Sequence, residues 1–454
     1  MIEGLRPYPE MAETGQPWLP VIPAHWEIRR NGRLFSERRE TGYPELPILE
    51  VSLRSGVRIR DMEGGKRKQQ IVDRSVYQRA VKGDIAYNMM RMWQGAVGIV
   101  PADGLVSPAY VVAKAYDGVD AAYYAYLFRT DDYMREIDSF SRGIVPDRNR
   151  LYWQAFKQMP SAYPPLDEQR LIVRFLNWHG AMTGKLIRTK RRLIALLNEQ
   201  KQSIIHLAVR RGLNLTATFK PSSVEWLGYV PEHWDVGHLR YLTVCLDGRR
   251  VPLNATQRGA KQGSYPYWGA NRVIDHLDEW LFDEPLVLLG EDGAPFFLPG
   301  RDVAFAVDGR IWVNNHAHVL RCGKRLIPSF LAAALNCVDY VHFIDGSTRD
   351  KLTQGAMGSI HIQVPPLDEQ RAIVDYLSKE TAEIAAIIEK AEAELELIQE
   401  FCTRFIADVV TGQLDVRAAA ANLPDLAETE ALADTPDDME DEDEDALDVE
   451  TEAA

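Results

Sequence analysis

The sequence predicts an α+β fold with a pseudo-two-fold internal duplication, in which two globular domains of mixed α/β structure are joined by two long antiparallel coiled-coil helices. Two repeated motifs and one repeated pattern support this prediction. The heptapeptide Pro-Pro-Leu-Asp-Glu-Gln-Arg occurs at Pro164–Arg170 and, 201 residues later, at Pro365–Arg371. The motif Trp-Leu-x-x-x-Pro-x-His-Trp occurs at Trp18–Trp26 and, 208 residues later, at Trp226–Trp234. A heptad-like pattern follows each heptapeptide, so the two halves of the chain are copies of one structural unit.

The composition is that of a chain able to bury well-packed cores. Its 454 residues correspond to about three domains, and 46% of them are hydrophobic. No apolar run approaches the ~18 residues of a membrane span, and the first residues contain no apolar signal region. The four cysteines lack the spacing of a zinc site or a disulfide framework. We therefore expect a soluble, cytoplasmic protein.

The formal net charge of −14 originates at the C-terminal end of the chain. Residues 425–452 contain 15 acidic residues and no lysine or arginine, which leaves 51 acidic against 52 basic residues elsewhere. Such a block cannot bury a core, so we expect residues 418–454 to form a disordered acidic tail. The tail is interpreted as solubilising, and a DNA-mimicking role is the alternative.

The first half begins with an N-terminal docking segment, residues 1–26. Its first 17 residues are rich in proline and are expected to be extended. Trp18–Trp26 is interpreted as a docking turn, in which His25 has a structural role, as has His233 in the second copy. Residues 27–163 form the first globular domain, with strand-like runs at 98–101 and 110–115 between Gly, Pro and Asp turns. A helix rich in Tyr and Ala is expected over Ala121–Asp138.

The first long helix belongs to segment 164–213 and is expected from about Leu166 to Arg211, with Gly212 as its C-cap. A linker with the repeated docking motif, residues 214–234, leads to the second globular domain, residues 235–364. Strand-like runs occur there at 286–289, 303–307 and 319–321. The second long helix belongs to segment 365–417 and is expected from about Leu367 to Thr411.

The two long helices carry opposite charge, +7 over residues 164–213 and −7 over residues 365–417. Opposite totals favour the pairing of unlike helices over self-pairing. Each globular domain precedes its own helix, so an antiparallel pair would place the domains at opposite ends of a rod roughly 60 Å long. The docking motif before each domain would then contact the end of the other half's helix.

Catalytic motifs are absent from the sequence. It contains no Gly-x-x-x-x-Gly-Lys-Ser/Thr phosphate loop, no Gly-x-Gly-x-x-Gly after a strand, and no Asn/Asp-Pro-Pro-aromatic tetrapeptide. Leu289–Gly293 is interpreted as a tight turn with solvated acids. His316 and His318 share one strand face, which could suit a metal, but no third ligand is evident and we expect no metal.

These motifs resemble those of the specificity (S) subunits of type I restriction–modification enzymes. The resemblance covers about residues 1–417 and rests first on the doubled heptapeptide with its long helix and on the doubled Trp motif. Shorter runs resemble two types of target recognition domain: Gly-Asp-Ile-Ala-Tyr-Asn at 83–88, Trp-Gln-Gly-Ala at 93–96, Ser-Pro-Ala-Tyr at 107–110, Tyr-Trp-Gly-Ala-Asn at 267–271, Gly-Glu-Asp-Gly at 290–293 and Asn-Asn-His-Ala-His-Val-Leu at 314–320. The acidic tail after Asp425 departs from the family pattern.

The resemblance implies a non-catalytic subunit that binds double-stranded DNA. Each target recognition domain would recognise one half of a bipartite, asymmetric site, while the two spacer helices would set the gap and bind two methyltransferase (M) subunits. The M subunits would hold S-adenosylmethionine and methylate adenine, and restriction (R) subunits would use ATP and Mg for translocation and cleavage, so no cofactor is expected in this chain. Two alternatives are a coiled-coil scaffold for protein assembly and a single-chain DNA nuclease or methyltransferase with a diverged site.

Base contacts are expected from Arg, Asn and Gln side chains on loops, because these side chains make bidentate hydrogen bonds to guanine and adenine. In the first domain the candidates are Arg91, Gln94, Arg142, Arg148 and Arg150. In the second domain they are Trp268, Asn271, Arg272, Asn314, Asn315 and Arg349. The structural alternative is that these side chains pin turns or bridge to acidic residues.

Overall fold

The structure, a computed structural model, describes residues 5–53, 55–60, 74–143, 149–214, 216–224, 226–298, 300–344, 350–421 and 423. Its contacts divide the chain into two compact units. The first unit holds residues 1–189 together with residues from 394 onward, and the second unit holds residues 190–393. The candidate residues Arg148 and Arg349 and the acidic tail predicted over 418–454, apart from residues 418–421 and 423, lie outside the described residues.

The first unit contains the first globular domain. Its strands are β1 (Met11–Gln16), β2 (Leu19–Pro23), β3 (Glu27–Arg30), β4 (Phe35–Arg38), β5 (Leu49–Ser52), β6 (Gly56–Ile59), β7 (Gln78–Ala80), β8 (Ile85–Asn88), β9 (Val97–Ile99), β10 (Gly104–Val106), β11 (Tyr110–Ala115) and β12 (Pro160–Tyr163), and its helices are α1 (Ala121–Leu127), α2 (Asp131–Phe140) and α3 (Trp153–Phe156). An antiparallel sheet in the order β4-β11-β8-β9 forms the centre of the domain. Its side chains Phe35 and Tyr87 pack against Tyr124 and Phe156 of the helices, with ring centroids 5.2 Å apart in both pairs.

Two local predictions for this domain need correction. The single helix predicted over Ala121–Asp138 is wrong, because α1 ends at Leu127 and α2 begins at Asp131. The break occurs where Thr130, in an extended conformation, accepts a hydrogen bond from the backbone N–H of Tyr133 and caps α2. The N-terminal segment is extended as predicted, but its strand β1 is also paired, in an antiparallel hairpin with β2.

The second unit contains the second globular domain, whose central sheet repeats the topology of the first. Its strands are β13 (Phe219–Pro221), β14 (Tyr229–Pro231), β15 (Asp235–His238), β16 (Thr243–Cys245), β17 (Gln262–Trp268), β18 (Val273–Leu277), β19 (Phe282–Asp283), β20 (Leu286–Gly290), β21 (Ala304–Val307), β22 (Arg310–Val313), β23 (Ala317–Cys322) and β24 (His361–Val364), and its helices besides the long pair are α5 (Leu239–Leu242), α6 (Ala255–Gly259), α7 (Pro328–Leu335) and α8 (Gln354–Ser359). The order β16-β23-β20-β21 corresponds strand for strand to β4-β11-β8-β9. A second sheet, β18-β17-β22-β19, has no four-stranded counterpart among the described residues of the first domain.

The two predicted long helices are confirmed as α4 (Leu166–Arg211) and α9 (Leu367–Val410), and a short helix α10 (Arg417–Ala421) follows α9. Two prolines precede each long helix, and acidic residues occupy its first turn, where the helix dipole favours them. Among the described residues, no helix combines the length and the apolar character that a membrane crossing would require.

The long helices pair in an antiparallel manner within each unit. In the first unit, Phe175 and His179 near the start of α4 pack against Phe405 near the end of α9, with ring centroids 6.0 Å and 4.6 Å apart. In the second unit, Val209 near the end of α4 shares a core with Ile373 near the start of α9. The pairing of unlike helices within one chain is therefore as predicted.

The first heptapeptide binds the first docking motif through a single buried carboxylate. Glu168 accepts hydrogen bonds from His25 Nε2 at 2.7 Å and from Trp26 Nε1 at 3.1 Å, and the hydroxyl of Tyr8 also donates to it. The second copy repeats this arrangement within the second unit. Glu369 there accepts hydrogen bonds from the equivalent histidine and tryptophan, from His233 Nε2 at 2.8 Å and from Trp234 Nε1 at 3.0 Å. The structural role predicted for both histidines is confirmed.

The glutamine of each heptapeptide attaches the long helix to its own globular domain. Gln169 donates to the carbonyl oxygen of Pro164 and accepts from the backbone N–H of Asp120, the residue that caps α1. Gln370 donates to the carbonyl oxygen of Pro365 and accepts from the backbone N–H of Ile327, which precedes α7. The repeated Glu-Gln pair therefore joins three segments of each half at one point.

Each docking motif also contacts the glycine that ends the opposite long helix, as the sequence predicts. Gly412, at φ +75°, lies against Pro23 and Trp26 in the first unit. Gly212, at φ +72°, lies against Trp234 in the second unit. Both positions need the left-handed conformation that glycine adopts without steric cost, and both leave no room for a side chain.

The contact at Gly412 can be tested with a matched pair of substitutions. A Cβ at Gly412 would lie 2.4 Å from Pro23 Cδ, whereas a Cβ at Gly15, at φ +70°, would meet no atom within 4 Å. Gly15→Ala should lose about 1–2 kcal/mol of unfolding free energy through backbone strain alone. Gly412→Ala should lose a further 1–3 kcal/mol or so through overpacking. Urea unfolding followed by circular dichroism measures both losses, and equal losses would contradict the docking contact.

Candidate nucleic-acid interface

The described candidate residues of the first domain, Arg91, Gln94, Arg142 and Arg150, lie on connections at one end of its central sheet. A 3-10 turn over Met92–Gln94 follows β8. The backbone N–H of Leu151 donates to the carbonyl oxygen of Met89 at 2.8 Å, which joins the segment after β8 to the segment before α3. Arg142 and Arg150 exchange two backbone hydrogen bonds of 3.0 Å. The fold therefore brings together two groups of candidates that are about 50 residues apart in the sequence.

The side chains of these candidates differ in their exposure. Gln94, Arg142 and Arg150 are exposed, and Arg91 is half-buried. Within the part of the chain that the structure describes, neither Arg142 nor Arg150 forms an ion pair. Exposed, uncompensated arginines suit contacts to phosphates or to guanine edges.

The described candidate residues of the second domain lie on two adjoining turns. The backbone N–H of Asn314 donates to the carbonyl oxygen of Trp268 at 3.1 Å, which joins the turn after β22 to the turn after β17. The turn after β17 is closed by a 2.8 Å hydrogen bond from the backbone N–H of Gly269 to the carbonyl oxygen of Arg272. The fold therefore brings together Trp268, Asn271, Arg272, Asn314 and Asn315 at one edge of the domain.

Burial separates these five residues into two groups. Arg272 and Asn315 are exposed and Asn271 is half-buried, so their side chains are accessible from solvent. Asn314 is 6% exposed, and its side-chain oxygen accepts from the backbone N–H of His316 at 2.8 Å. Trp268 packs on Phe305, with ring centroids 5.5 Å apart. For Asn314 and Trp268 the geometry favours a role in holding the turns, which is the structural alternative given above.

An ion-pair network lies beneath these turns and connects four segments of the second domain. Arg250 donates to Glu291 at 2.6 Å and to the carbonyl oxygen of Ala317 at 2.7 Å. Lys351 lies 3.2 Å from the other oxygen of Glu291. The backbone N–H of Leu352 donates to the carbonyl oxygen of Glu291 at 2.8 Å. The interpretation of Leu289–Gly293 as a turn with solvated acids is therefore wrong for Glu291, whose side chain is 13% exposed and paired with two cations.

His318 is the buried centre of this network. Its Nδ1 lies 2.6 Å from Asp247 Oδ2, and its Nε2 lies 2.8 Å from the carbonyl oxygen of Leu352. Both partners are oxygen atoms, so each ring nitrogen already lies within hydrogen-bond distance of a protein group. Asp247, Glu291 and His318 have the proximity of a metal-binding group, with ligand atoms within 4.8 Å of one another. The same three groups are also joined to one another, to Arg250 and to Lys351 by hydrogen bonds and ion pairs.

The sequence-based interpretation of the two histidines needs correction on two counts. His316 does not share a strand face with His318, since it precedes β23 and lies 3.6 Å from Asp292. The additional acidic groups near His318 come from Asp247 and Glu291, which are distant in the sequence. No local pattern could have indicated them, because 71 residues separate Asp247 from His318.

The network lowers the pKa of both of its central carboxyl groups. Burial opposes the ionisation of Asp247, but the hydrogen bonds from His318 and Val319, with the charge of Arg250, together lower its pKa below the ordinary value. Burial likewise opposes ionisation of Glu291, and the hydrogen bond from Arg250 with the nearby positive charges lowers its pKa. The ionised network therefore stabilises the fold at neutral pH.

A groove in the first domain was not predicted from the sequence. It has a volume of about 910 Å³ and lies between the edge strand β4 and helix α3. Its lining includes the candidate residues Arg142 and Arg150 together with Tyr152 and Trp153. The adjacent aromatic pair beside Arg150 was the available sequence signal, because neighbouring aromatic and basic residues are typical of nucleic-acid sites.

Three comparisons with known proteins agree with one another. Residues 231–397 match the family described as the type I restriction modification DNA specificity domain. A type I restriction enzyme specificity subunit of Haemophilus influenzae is 34% identical over 137 residues, which are 30% of this chain and 34% of that protein. The type I restriction enzyme MjaX specificity subunit of Methanocaldococcus jannaschii is 25% identical over 285 residues, 58% of this chain and 60% of that protein. The chain thus spans 34% and 60% of the lengths of these curated relatives.

One solved structure shares the fold. It is a chain described in connection with complex assembly and conformational transition of the type I R-M system, and its TM-score is 0.57 at 14% sequence identity. The match covers 86% of this chain and 98% of that chain. At this identity the similarity shows a common fold.

The role of the network can be tested by Asp247→Asn. This change removes one partner of a buried charge network and should cost about 3 kcal/mol of unfolding free energy at pH 7. Because the pKa values of Asp247 and Glu291 lie below the ordinary values of about 4, their stabilisation is present above that pH and lost as the pH falls below it. Asp247→Asn should therefore also weaken the acid dependence of unfolding, measured by urea titration between pH 3 and pH 7.

A suitable control for this experiment is Asp283→Asn. Asp283 is 51% exposed and pairs with Arg310 at 3.2 Å, so its loss should cost less than about 1 kcal/mol. Similar costs for the two substitutions would show that the His318 network is not a stabilising element of the second domain.

Proposed function

We propose that this chain is the DNA-recognition subunit of a type I restriction–modification system, because it belongs to the family of type I restriction–modification specificity subunits. The first domain recognises one half of a bipartite, asymmetric DNA site, and the second domain recognises the other half. The chain performs no bond chemistry in this proposal. Two M subunits with S-adenosylmethionine methylate adenine, and R subunits with ATP and Mg translocate and cleave the DNA.

One observation carries this proposal. The two domains share a frame, which consists of the central sheet and its contacts to the heptapeptide and the docking motif. At the same end of this frame they present unlike side chains. The equivalence extends to single hydrogen bonds, since the fully buried Leu151 and Leu352 donate from equivalent positions to the segments that follow β8 and β20. The accessible candidates differ, with Gln94 in the first domain and Asn315 in the second. A palindromic site would need identical recognition surfaces, so unlike surfaces favour an asymmetric site.

The long helices offer surfaces for the M subunits. Within the first unit, Leu186 of α4 is 44% exposed and Leu397 of α9 is 64% exposed. Within the second unit, Leu196 of α4 is 54% exposed and Ile387 of α9 is 49% exposed. These helices already bury other faces against each other, so additional exposed large apolar side chains on both support protein partners.

The direct test is reconstitution with an N6-adenine methyltransferase from the same genome. The complex should methylate DNA at one bipartite sequence, identified by sequencing of methylated bases, while either component alone should not. Methylation by the purified chain alone would support the single-chain enzyme, and a complex that never binds DNA in a gel-shift assay would support the scaffold.

Exchange of one domain tests whether the two halves are recognised independently. Residues 27–163 are replaced by the matching domain of another specificity subunit, with the heptapeptide and the docking motif unchanged. Because the repeated frame holds each domain by the same contacts, we expect one half of the methylated sequence to change and the other half to persist. A change in both halves would contradict independent recognition.

Lengthening α4 tests whether the helices set the gap between the half-sites. An insertion of four residues within Leu193–Gln200 adds about one turn, or ~6 Å, and keeps the apolar seam approximately in phase as a local stutter. The methylated sequence should keep both halves while its gap grows by one or two base pairs, since each pair occupies ~3.4 Å. An active enzyme with an unchanged gap would contradict this role of the helices.

A further inference from the structure

The groove between β4 and α3 of the first domain has the size of a ligand site. Its volume of about 910 Å³ lies within the range of roughly 300–1,000 Å³ that small organic ligands occupy in proteins. The groove opens beside the backbone pair of Arg142 and Arg150, which belong to the surface assigned above to DNA recognition.

The lining combines flat aromatic surface with positive charge. Tyr152 is 47% exposed and Trp153 is half-buried, so ring surface is accessible within the groove. Arg142 and Arg150 are exposed and form no ion pair with another described residue. Arg39 adds a third guanidinium, 72% exposed and paired with Glu37 at 2.9 Å. The groove therefore offers a π surface and uncompensated cations at one place.

Three basic residues of the second domain that lie over aromatic rings differ, because their charges are already compensated. Each lies within 3.2 Å of an acidic oxygen, in the pairs Arg258–Asp275, Lys261–Glu279 and Arg310–Asp283. Such paired cations have little surplus charge for a phosphate group. Arg142 and Arg150, which have no ion-pair partner among the described residues, are thus available to an anionic ligand.

The shape of the groove indicates which part of DNA it accepts. A groove of this volume cannot admit a whole duplex, and a phosphate ridge would gain little from a lining that is partly aromatic. A nucleotide whose base has left the helical stack matches both components, since its base stacks on aromatic rings and its phosphates bind arginine. Building on the proposed DNA-recognition function, we propose that this groove receives one unstacked nucleotide of the half-site that the first domain recognises.

The equivalent position in the second domain is lined by Arg240 but lacks both the volume and the aromatic lining. The cavity between β16 and α8 has a volume of only about 210 Å³. Thr353 stands at the place of Tyr152, and Gln354 at the place of Trp153, by the 201-residue repeat. The unstacked nucleotide therefore belongs to the half-site of the first domain alone.

The test uses the reconstituted complex with M subunits and a duplex that contains its methylated sequence. 2-Aminopurine is placed in turn at each position of both half-sites, because its fluorescence rises when it leaves the base stack. We expect a response upon binding at one position of the first domain's half-site, distinct from the methylated adenine. Tyr152→Ala should weaken DNA binding about tenfold through the lost stacking and alter the response at that position, whereas Tyr152→Phe should retain both.

The chain offers a closely matched control for the ring. Tyr116 belongs to the same domain, is also 47% exposed and does not line the groove, so Tyr116→Ala should leave DNA affinity and fluorescence unchanged. A complex that binds DNA with no responding position other than the methylated adenine overturns the nucleotide site but leaves the proposed function intact. Equal effects of Tyr152→Ala and Tyr116→Ala overturn it as well. Weakened binding of the M subunit by Tyr152→Ala in the absence of DNA would make the groove a protein-docking site, and a complex that binds no DNA would reject both proposals.

Discussion

The carboxylate of the repeated heptapeptide is the interaction on which the rest of each half depends. Glu168 and Glu369 each stand in the first turn of a long helix and accept hydrogen bonds from a histidine and a tryptophan of the docking motif. The helix dipole favours negative charge at this position, and the two donors satisfy it where Glu168 is 5% exposed. The neighbouring glutamine then attaches the globular domain, so helix, docking motif and domain meet at a single site.

A frame fixed in this way allows the far end of each domain to vary. The central sheets keep one connectivity, and Leu151 and Leu352 make corresponding hydrogen bonds, whereas the accessible side chains beyond them share no pattern. Buried contacts constrain a residue through packing and hydrogen bonding together, while an exposed side chain on a turn is constrained by its ligand alone. Under the proposed function, this separation of a repeated frame from unrepeated ends would allow the two domains to recognise two different half-sites.

The two domains also differ in how they compensate charge. In the second domain, Arg250, Asp247, Glu291 and Lys351 neutralise one another around His318, which stabilises the turns that carry Arg272 and Asn315. In the first domain, Arg142 and Arg150 are joined through their backbones beside a groove, and neither forms an ion pair with another described residue. The first arrangement gives rigidity to the turns that carry candidate residues, and the second leaves electrostatic attraction available for a ligand.

The sequence by itself determined the duplication and the bounds of the two long helices within about one residue, because these follow from exact repeats and from periodicity along continuous segments. It also indicated the antiparallel pairing, through the opposite charges of the helices and the order of domain and helix in each half. It also determined the structural role of His25 and His233, whose motif is repeated. Only the tertiary structure decided that one predicted helix breaks at Thr130, that Asn314 holds a turn, and that Asp247 and Glu291 surround His318. The Tyr and Ala content of the predicted helix does not reveal that a hydroxyl side chain caps a second helix within it. The network joins residues 71 positions apart, so it depends on how the strands of the sheet are ordered in space.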